Sequence, residues 1–131
     1  MADTDKTLFL LDGMALAYRG HFGLIRNPRM TSSGINVSLV FAVTNTILGI
    51  LNKNKPTHFA AAFDTPQPTH RHKMFKEYKA HRESMPEDLS LALPYLYRLI
   101  EAFNIPVLKN PGWEADDVIG TLTREALEAG M

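Results

Sequence analysis

Five acidic side chains stand where they could share one task. Asp12 closes the apolar run Thr7–Asp12 (TLFLLD), and Asp64 follows directly on the apolar run His58–Phe63 (HFAAAF). Glu114, Asp116 and Asp117 lie together in WEADD, one short turn beyond a third apolar stretch, Ile105–Leu108. If the three runs are neighbouring parallel strands, their carboxyl ends open on one crevice, the usual place for a ligand in an open α/β sheet. Carboxylates crowded in that way repel one another, and a cation is the simplest remedy. The chain has no cysteine, and no histidine pair is spaced as ligands near these acids. The donor set is therefore all oxygen and suits a hard ion, Mg²⁺ or Mn²⁺. Such ions activate water and hold phosphate oxygens in phosphoryl transfer. Each acid also has a plainer use. An acid after a strand commonly serves a turn or a cap, and acids in a helix's first turn are favoured by its dipole alone. Glu114 and Asp117, three apart, share a helix face while Asp116 points elsewhere, so the three need not bind one ion. Convergence from three strand ends is what favours a metal.

A basic segment follows Asp64 after a proline-rich turn, Thr65–Thr69 (TPQPT). His70–Arg82 (HRHKMFKEYKAHR) sets Arg71, Lys73, Lys76, Lys79 and Arg82 against the single acid Glu77, with Phe75 and Tyr78 interleaved. On a helix Lys76, Lys79 and Arg82 recur on one side. A positive stripe beside an aromatic ring fits a phosphate backbone with one base stacked on the ring. A solvated helix that docks its aromatics on the core would use the same residues. Position favours the first use, because the positive charge should stand over the acidic crevice, as a site for an anionic substrate requires.

The elements that must position these groups can be read in order. Thr7–Asp12 predicts a buried strand, Met14–Phe22 a short helix, and Asn27–Gly34 (NPRMTSSG) a mobile loop. Apolar residues at Val37, Val40, Phe41, Val43, Ile47, Leu48 and Leu51 predict a helix over Asn36–Asn54, which Pro56 ends. His58–Phe63 predicts a second strand and His70–Arg82 a basic helix. Glu87–Phe103 is amphipathic, and Pro94 inside it predicts a later start or a kink. Ile105–Leu108 predicts a third strand, interrupted by Pro106. Asn110–Gly112 makes a turn, and Trp113–Ala129 a closing helix stopped by Gly130. Strands alternating with helices give an α/β domain of Rossmann-like type with a mostly parallel sheet and right-handed crossovers. The last helix would lead into a further strand, so the chain reads as a domain cut after its third strand–helix unit. Asn27–Gly34 and the stretch from Thr69 to Pro86 are expected to be least ordered.

Composition bounds the function without choosing it. The 131 residues are 45% hydrophobic and 21% charged, ordinary for one globular domain. Lys plus Arg and Asp plus Glu both number 14, so net charge argues neither for nor against nucleic acid. No disulfide framework, thiolate metal site or cysteine nucleophile is available. Neither a signal peptide nor a membrane-spanning run is visible, and a cytoplasmic protein without a membrane partner is the expectation.

Four stretches together, FLLDGMALAYRGHF, FDTPQPTHRHKMFKEYKAHR, MPEDL and PGWEADDVIGTL, resemble the N-terminal half of the 5′-3′ exonuclease domain of bacterial DNA polymerase I, and more broadly the flap endonuclease family. The resemblance runs from about Leu8 to Leu127. It implies a PIN-like three-layer domain over residues 1–131, in which residues 65–86 form a basic, arch-like insertion. The implied function is a structure-specific nuclease that removes 5′ flaps and RNA primers from DNA with two divalent ions. On matching positions Asp12, Asp64, Glu114, Asp116 and Asp117 are the acidic ligands, some direct and some through water. Lys79 and Arg82 match the catalytic cationic residues that engage the phosphate near the cut. Tyr78 is the ring for a terminal base, Arg71 and Lys76 contact DNA, and Arg19 is a basic position close to the site. His70 stands where the family usually has phenylalanine, and Ala42 where glycine is common, with local packing consequences only. A further acid-rich strand-to-helix turn and a helix-hairpin-helix that grips duplex DNA are absent. The resemblance thus implies at most one well-held ion in this chain, inactivity of the chain alone, and partners in the rest of the domain and a downstream polymerase region.

Other classes make different demands. A nucleic-acid-binding α/β module whose acids are structural would share every element but would not hold Mn²⁺ tightly. A signalling receiver domain needs paired acids after its first strand, and a haloacid-type phosphatase needs two acids two apart there; Asp12-Gly13-Met14 supplies one.

Overall fold

The computed structural model describes residues 5–65, 69–75 and 85–131. Three parallel strands, β1 (Leu8–Asp12), β2 (His58–Phe63) and β3 (Val107–Lys109), form one sheet in the order β1-β2-β3. Leu8 pairs with His58 and Asp12 with Ala62 on one side of β2; Phe63 pairs with Lys109 on the other. The α/β architecture expected from the alternation of elements is the one observed.

Helices α1 (Gly13–Gly23), α2 (Ser38–Lys53) and α4 (Glu87–Ala102) pack together on one face of the sheet, while α5 (Ala115–Glu128) lies across β1 and β2. A short helix, α3 (His70–Met74), precedes α4. The central strand explains how two layers fit. Ala60, Ala61 and Ala62 are all buried, and their small side chains let helices approach both faces. Ala61 and Phe63 point into the core with Leu39 and Ile47 of α2 and Leu89, Leu96 and Ile100 of α4; Ala60 and Ala62, alternating with them, face the other way. Helix α1 meets α2 closely because Gly20 has no side chain: a Cβ there would stand 2.8 Å from the Ala42 Cβ.

Two sequence expectations, the start of α4 and the start of β3, change in detail. Helix α4 begins at Glu87 and runs through Pro94. Its buried residues Leu89, Ala92, Leu93, Leu96 and Ile100 lie on both sides of the proline, and Pro94 itself is exposed, so the backbone acceptor it leaves unused faces water. The third strand starts after Pro106 rather than at Ile105. Pro106 cannot donate, but its carbonyl accepts from Ala61 N–H at 2.9 Å. The polar stretch Asn27–Gly34 has no regular structure but is cross-tied. Met30 bridges Asn36, Thr31 N–H donates to the Ile35 carbonyl at 2.9 Å, Val37 N–H to the Arg29 carbonyl at 2.7 Å, and Arg29 N–H to Ser38 Oγ at 2.9 Å. The basic helix expected over His70–Arg82 is present at His70–Met74; residues 76–84 lie outside the described residues.

Candidate functional site

Because all three strands run the same way, their carboxyl ends share one edge, and the acids are delivered there by different local devices. Asp12 is the last residue of β1 and the N-cap of α1; its Oδ1 accepts from Ala15 N–H at 3.2 Å. The turn is tight enough that Gly13 is packed under the ring of Phe63, where an added Cβ would stand 2.2 Å from Cζ. That ring makes an edge contact with Tyr97 at 4.8 Å, and Lys109 Nζ sits 3.5 Å from the Tyr97 ring centroid. Burial holds the Tyr97 hydroxyl above the usual phenol range. Asp64 is the next residue after Phe63. Asp64 Oδ1 accepts from Ala115 N–H at 2.7 Å, so the acid that ends β2 caps the first turn of α5.

Glu114 is the N-cap of α5 and is 7% exposed. Its N–H donates to Asp117 Oδ2 at 3.0 Å, the returning arm of a capping box. The capping use weighed from the sequence is therefore real for Asp12, Asp64, Glu114 and Asp117. Both Glu114 and Asp117 are also bound by Arg71 of α3. Arg71 Nη1 donates to Glu114 Oε2 at 2.7 Å and to Asp117 Oδ2 at 2.8 Å, and Nη2 to Asp117 Oδ1 at 2.8 Å. Asp116 is exposed, as its different helix face requires, and makes no hydrogen bond among the described residues.

The acids share an edge and fit a hard divalent ion by donor chemistry. As placed, however, no three histidine or acidic side chains among the described residues are grouped closely enough to hold one. Arg71, expected from the sequence to touch the DNA backbone, pairs here with two of the acids. The signal for that pairing is weak in the chain, because Arg71 and Asp117 are 46 residues apart and only the fold brings α3 to the start of α5. Arg19 lies seven residues along α1 from Asp12, about 10 Å by helical rise, and lines a shallow groove with Leu16, Phe41 and Asn45. The structure thus places it two helical turns along α1 from Asp12. Lys76, Tyr78, Lys79 and Arg82 lie outside the described residues. Among the described residues no helix is long and apolar enough to cross a membrane.

Residues 7–131 match the family described as 5′-3′ exonuclease, N-terminal resolvase-like domain. The chain belongs to this family. It is 38% identical over 133 residues to DNA polymerase I of Synechocystis sp., an alignment that covers 99% of this chain and 14% of that polymerase. Among solved structures, a bacteriophage T5 protein co-crystallised with metal ions superposes with a TM-score of 0.68 at 18% identity, over 89% of this chain and 43% of the other. The T5 flap endonuclease in a pseudo-enzyme-product complex with DNA and metal ions gives 0.58 at 18% identity, over 89% and 43%. At that identity the T5 proteins share the fold. As a member of the exonuclease family, the chain carries at its strand ends the acids that the sequence motifs pick out.

Proposed function

We propose that this chain is the N-terminal part of a metal-dependent, structure-specific 5′ nuclease that acts on DNA, removing 5′ flaps and RNA primers. The observation that carries the reading is the delivery of Asp12, Asp64 and the Glu114–Asp117 turn to one edge of a parallel sheet in a chain of the exonuclease family. The T5 flap endonuclease, of the same fold, was crystallised with DNA and metal ions, which supports both substrate and cofactor class.

In this reading Asp12, Asp64, Glu114, Asp116 and Asp117 would supply the ligands for Mg²⁺ or Mn²⁺, Glu114 and Asp117 once Arg71 yields. The ions would activate water and neutralise phosphate charge in phosphodiester hydrolysis. The chain's own cations, Lys79 and Arg82, engage the phosphate; Tyr78 stacks a terminal base, and Lys76, Arg71 and Arg19 track the backbone. Residues 65–86 serve as a basic, arch-like insertion above the acids. The rest of the nuclease domain and a polymerase region are the proposed partners, since the chain spans 14% of the polymerase it matches. A bacterial cytoplasmic setting near the nucleoid follows from that reading.

The test is a labelled 5′-flap duplex, and a matching RNA–DNA hybrid, incubated in Mg²⁺ with the whole protein and with its Asp12→Ala and Lys79→Ala variants. Cleavage by the wild type, lost in both variants, is expected, with no turnover by residues 1–131 alone. Equal cleavage by the Asp12→Ala variant would sink the proposal and leave the acids a structural role in a binding module.

A further inference from the structure

Two of the five acids already have a cation. Every Asp117 carboxylate oxygen is within 2.8 Å of an Arg71 nitrogen, and Glu114 Oε2 is 2.7 Å from the same guanidinium. One arginine forking onto a carboxylate is among the strongest protein hydrogen-bond geometries. The partners are also withdrawn from water, the Glu114 and Asp117 side chains being 9% and 21% exposed. The N-terminus of α5 adds about half a positive charge at the same place. Among the described residues, two carboxylates, one guanidinium and a helix dipole leave little net negative charge for an incoming ion. Asp12, Asp64 and Asp116, by contrast, have no arginine or lysine paired with them among the described residues.

We infer that Arg71 is the resident counter-cation of Glu114 and Asp117, and that a divalent ion gains these two carboxylates only by displacing it. The inference rests on the metal-dependent reading above. A guanidinium and a divalent ion cannot share the Asp117 oxygens, since like charges at such separations repel strongly. Displacement has a structural consequence. Arg71 sits in the first turn of α3, next to buried Thr69, so its contacts tie the start of the basic segment to the start of α5. Metal occupancy and the position of α3 are therefore linked, and by reciprocity whatever draws Arg71 away, such as a phosphate, raises the affinity for the ion. Arg71 acts here as a positioning residue that releases its partners, not as a group that touches the reacting atoms.

Titration calorimetry of the 131-residue protein with Mn²⁺ tests this, using the wild type, Arg71→Gln and Arg71→Lys, each first checked by circular dichroism. Arg71→Gln should bind Mn²⁺ more tightly by about tenfold or more, the worth of one charge-assisted contact. Arg71→Lys, which keeps the charge but loses the fork, should fall between. The single tryptophan, Trp113, adjoins Glu114 and offers a second reading. Saturating Mg²⁺ should shift its emission in the wild type toward that of ion-free Arg71→Gln. Unchanged or weaker Mn²⁺ binding by both folded variants overturns the displacement and makes Arg71 a support for the ligands. Absence of binding in all three proteins overturns the metal reading itself, and the two failures are thereby told apart. If Arg71→Gln does not fold, Arg71→Lys decides on the same criterion.

Discussion

The two faces of the sheet are held by different forces. On one, α1, α2 and α4 close over β2 with a continuous apolar core in which Leu39, Ile47, Leu89, Ala92 and Leu96 are each 0% exposed. On the other, α5 buries Ala115 alone. Beside β3 it leaves a groove of about 640 Å³ lined by Trp113, Val118 and Leu122. What fixes α5 is polar: the Asp64 bond to Ala115 N–H, the capping arm of Asp117 and the fork of Arg71. All three fasteners are made by candidate site residues. The comparison teaches that one face of the sheet is closed by apolar packing and the other largely by hydrogen bonds, and that several acids which could bind an ion also hold their own scaffold. A buried apolar face tolerates no change of shape, whereas hydrogen-bonded carboxylates can exchange partners with a cation at modest cost.

Substitutions on the two sides should therefore differ in size. The largest effect is expected from Leu96→Ala, at the centre of the helical layer. Removing a fully buried leucine there should cost about 2–5 kcal/mol, read as a shift of the urea midpoint at constant slope. Gly13→Ala comes next. Its new methyl would collide with the Phe63 ring, which is confined by Tyr97, and overpacking of that kind costs about 1–3 kcal/mol. A Gly13→Ala protein as stable as the wild type would show that the Phe63 stack is loose, and would remove the distinction between a rigid floor and an adjustable rim.

The rigid side was the more legible from sequence. Helical spacing from Val37 to Leu51 and the run HFAAAF mark burial directly, and α2 and β2 appear where those patterns place them. The parallel direction of the strands could be anticipated because each is followed by helical sequence that crosses back over the sheet. Errors fall where one residue has two competing rules. Pro94 breaks a helix locally but sits on its wet face, and Pro106 breaks a strand but still accepts a hydrogen bond. For the site, the acids and their edge were legible because each follows an apolar run. The Arg71 fork was not, since an ion pair spanning 46 residues leaves no periodicity. Nor does the sequence say which acids are committed to capping and which face solvent, because that depends on the path of the turn into α5.

A smaller effect is expected from Asp117→Ala. The change removes two Arg71 contacts and the acceptor of the Glu114 N–H. Loss of a helix cap alone costs about 1 kcal/mol. The ion pair adds little, because Arg71 is 36% exposed and partly screened. Thermal melting should show a modest fall that high salt reduces further. Should the fall match that of Leu96→Ala, α5 is held as strongly as the core and the contrast between the faces dissolves.

The smallest stability effect is expected from the neighbouring acid, and it sharpens the contrast most. Asp116 differs from Asp117 by one position, yet that step of about 100° around the helix carries its side chain from the Arg71 fork to open solvent. Its contribution to folding is confined to a favourable interaction with the N-terminal end of α5, which is weak at an exposed position and fades with salt. Asp116→Asn keeps the size and shape of the side chain and removes only the charge. Its melting temperature at moderate salt should match the wild type. Mn²⁺ binding should nonetheless fall, because a neutral amide is a poor substitute for a carboxylate facing a hard cation. Asp117→Asn should behave in the opposite sense. Its amide still offers one acceptor but weakens the hold of Arg71, so stability falls while Glu114 becomes easier for an ion to reach. Measuring melting and Mn²⁺ affinity for both variants places each acid on two axes at once. If Asp116→Asn melts early and binds Mn²⁺ as before, then the exposed acid is the structural one, and the division of labour drawn here between the two aspartates is reversed.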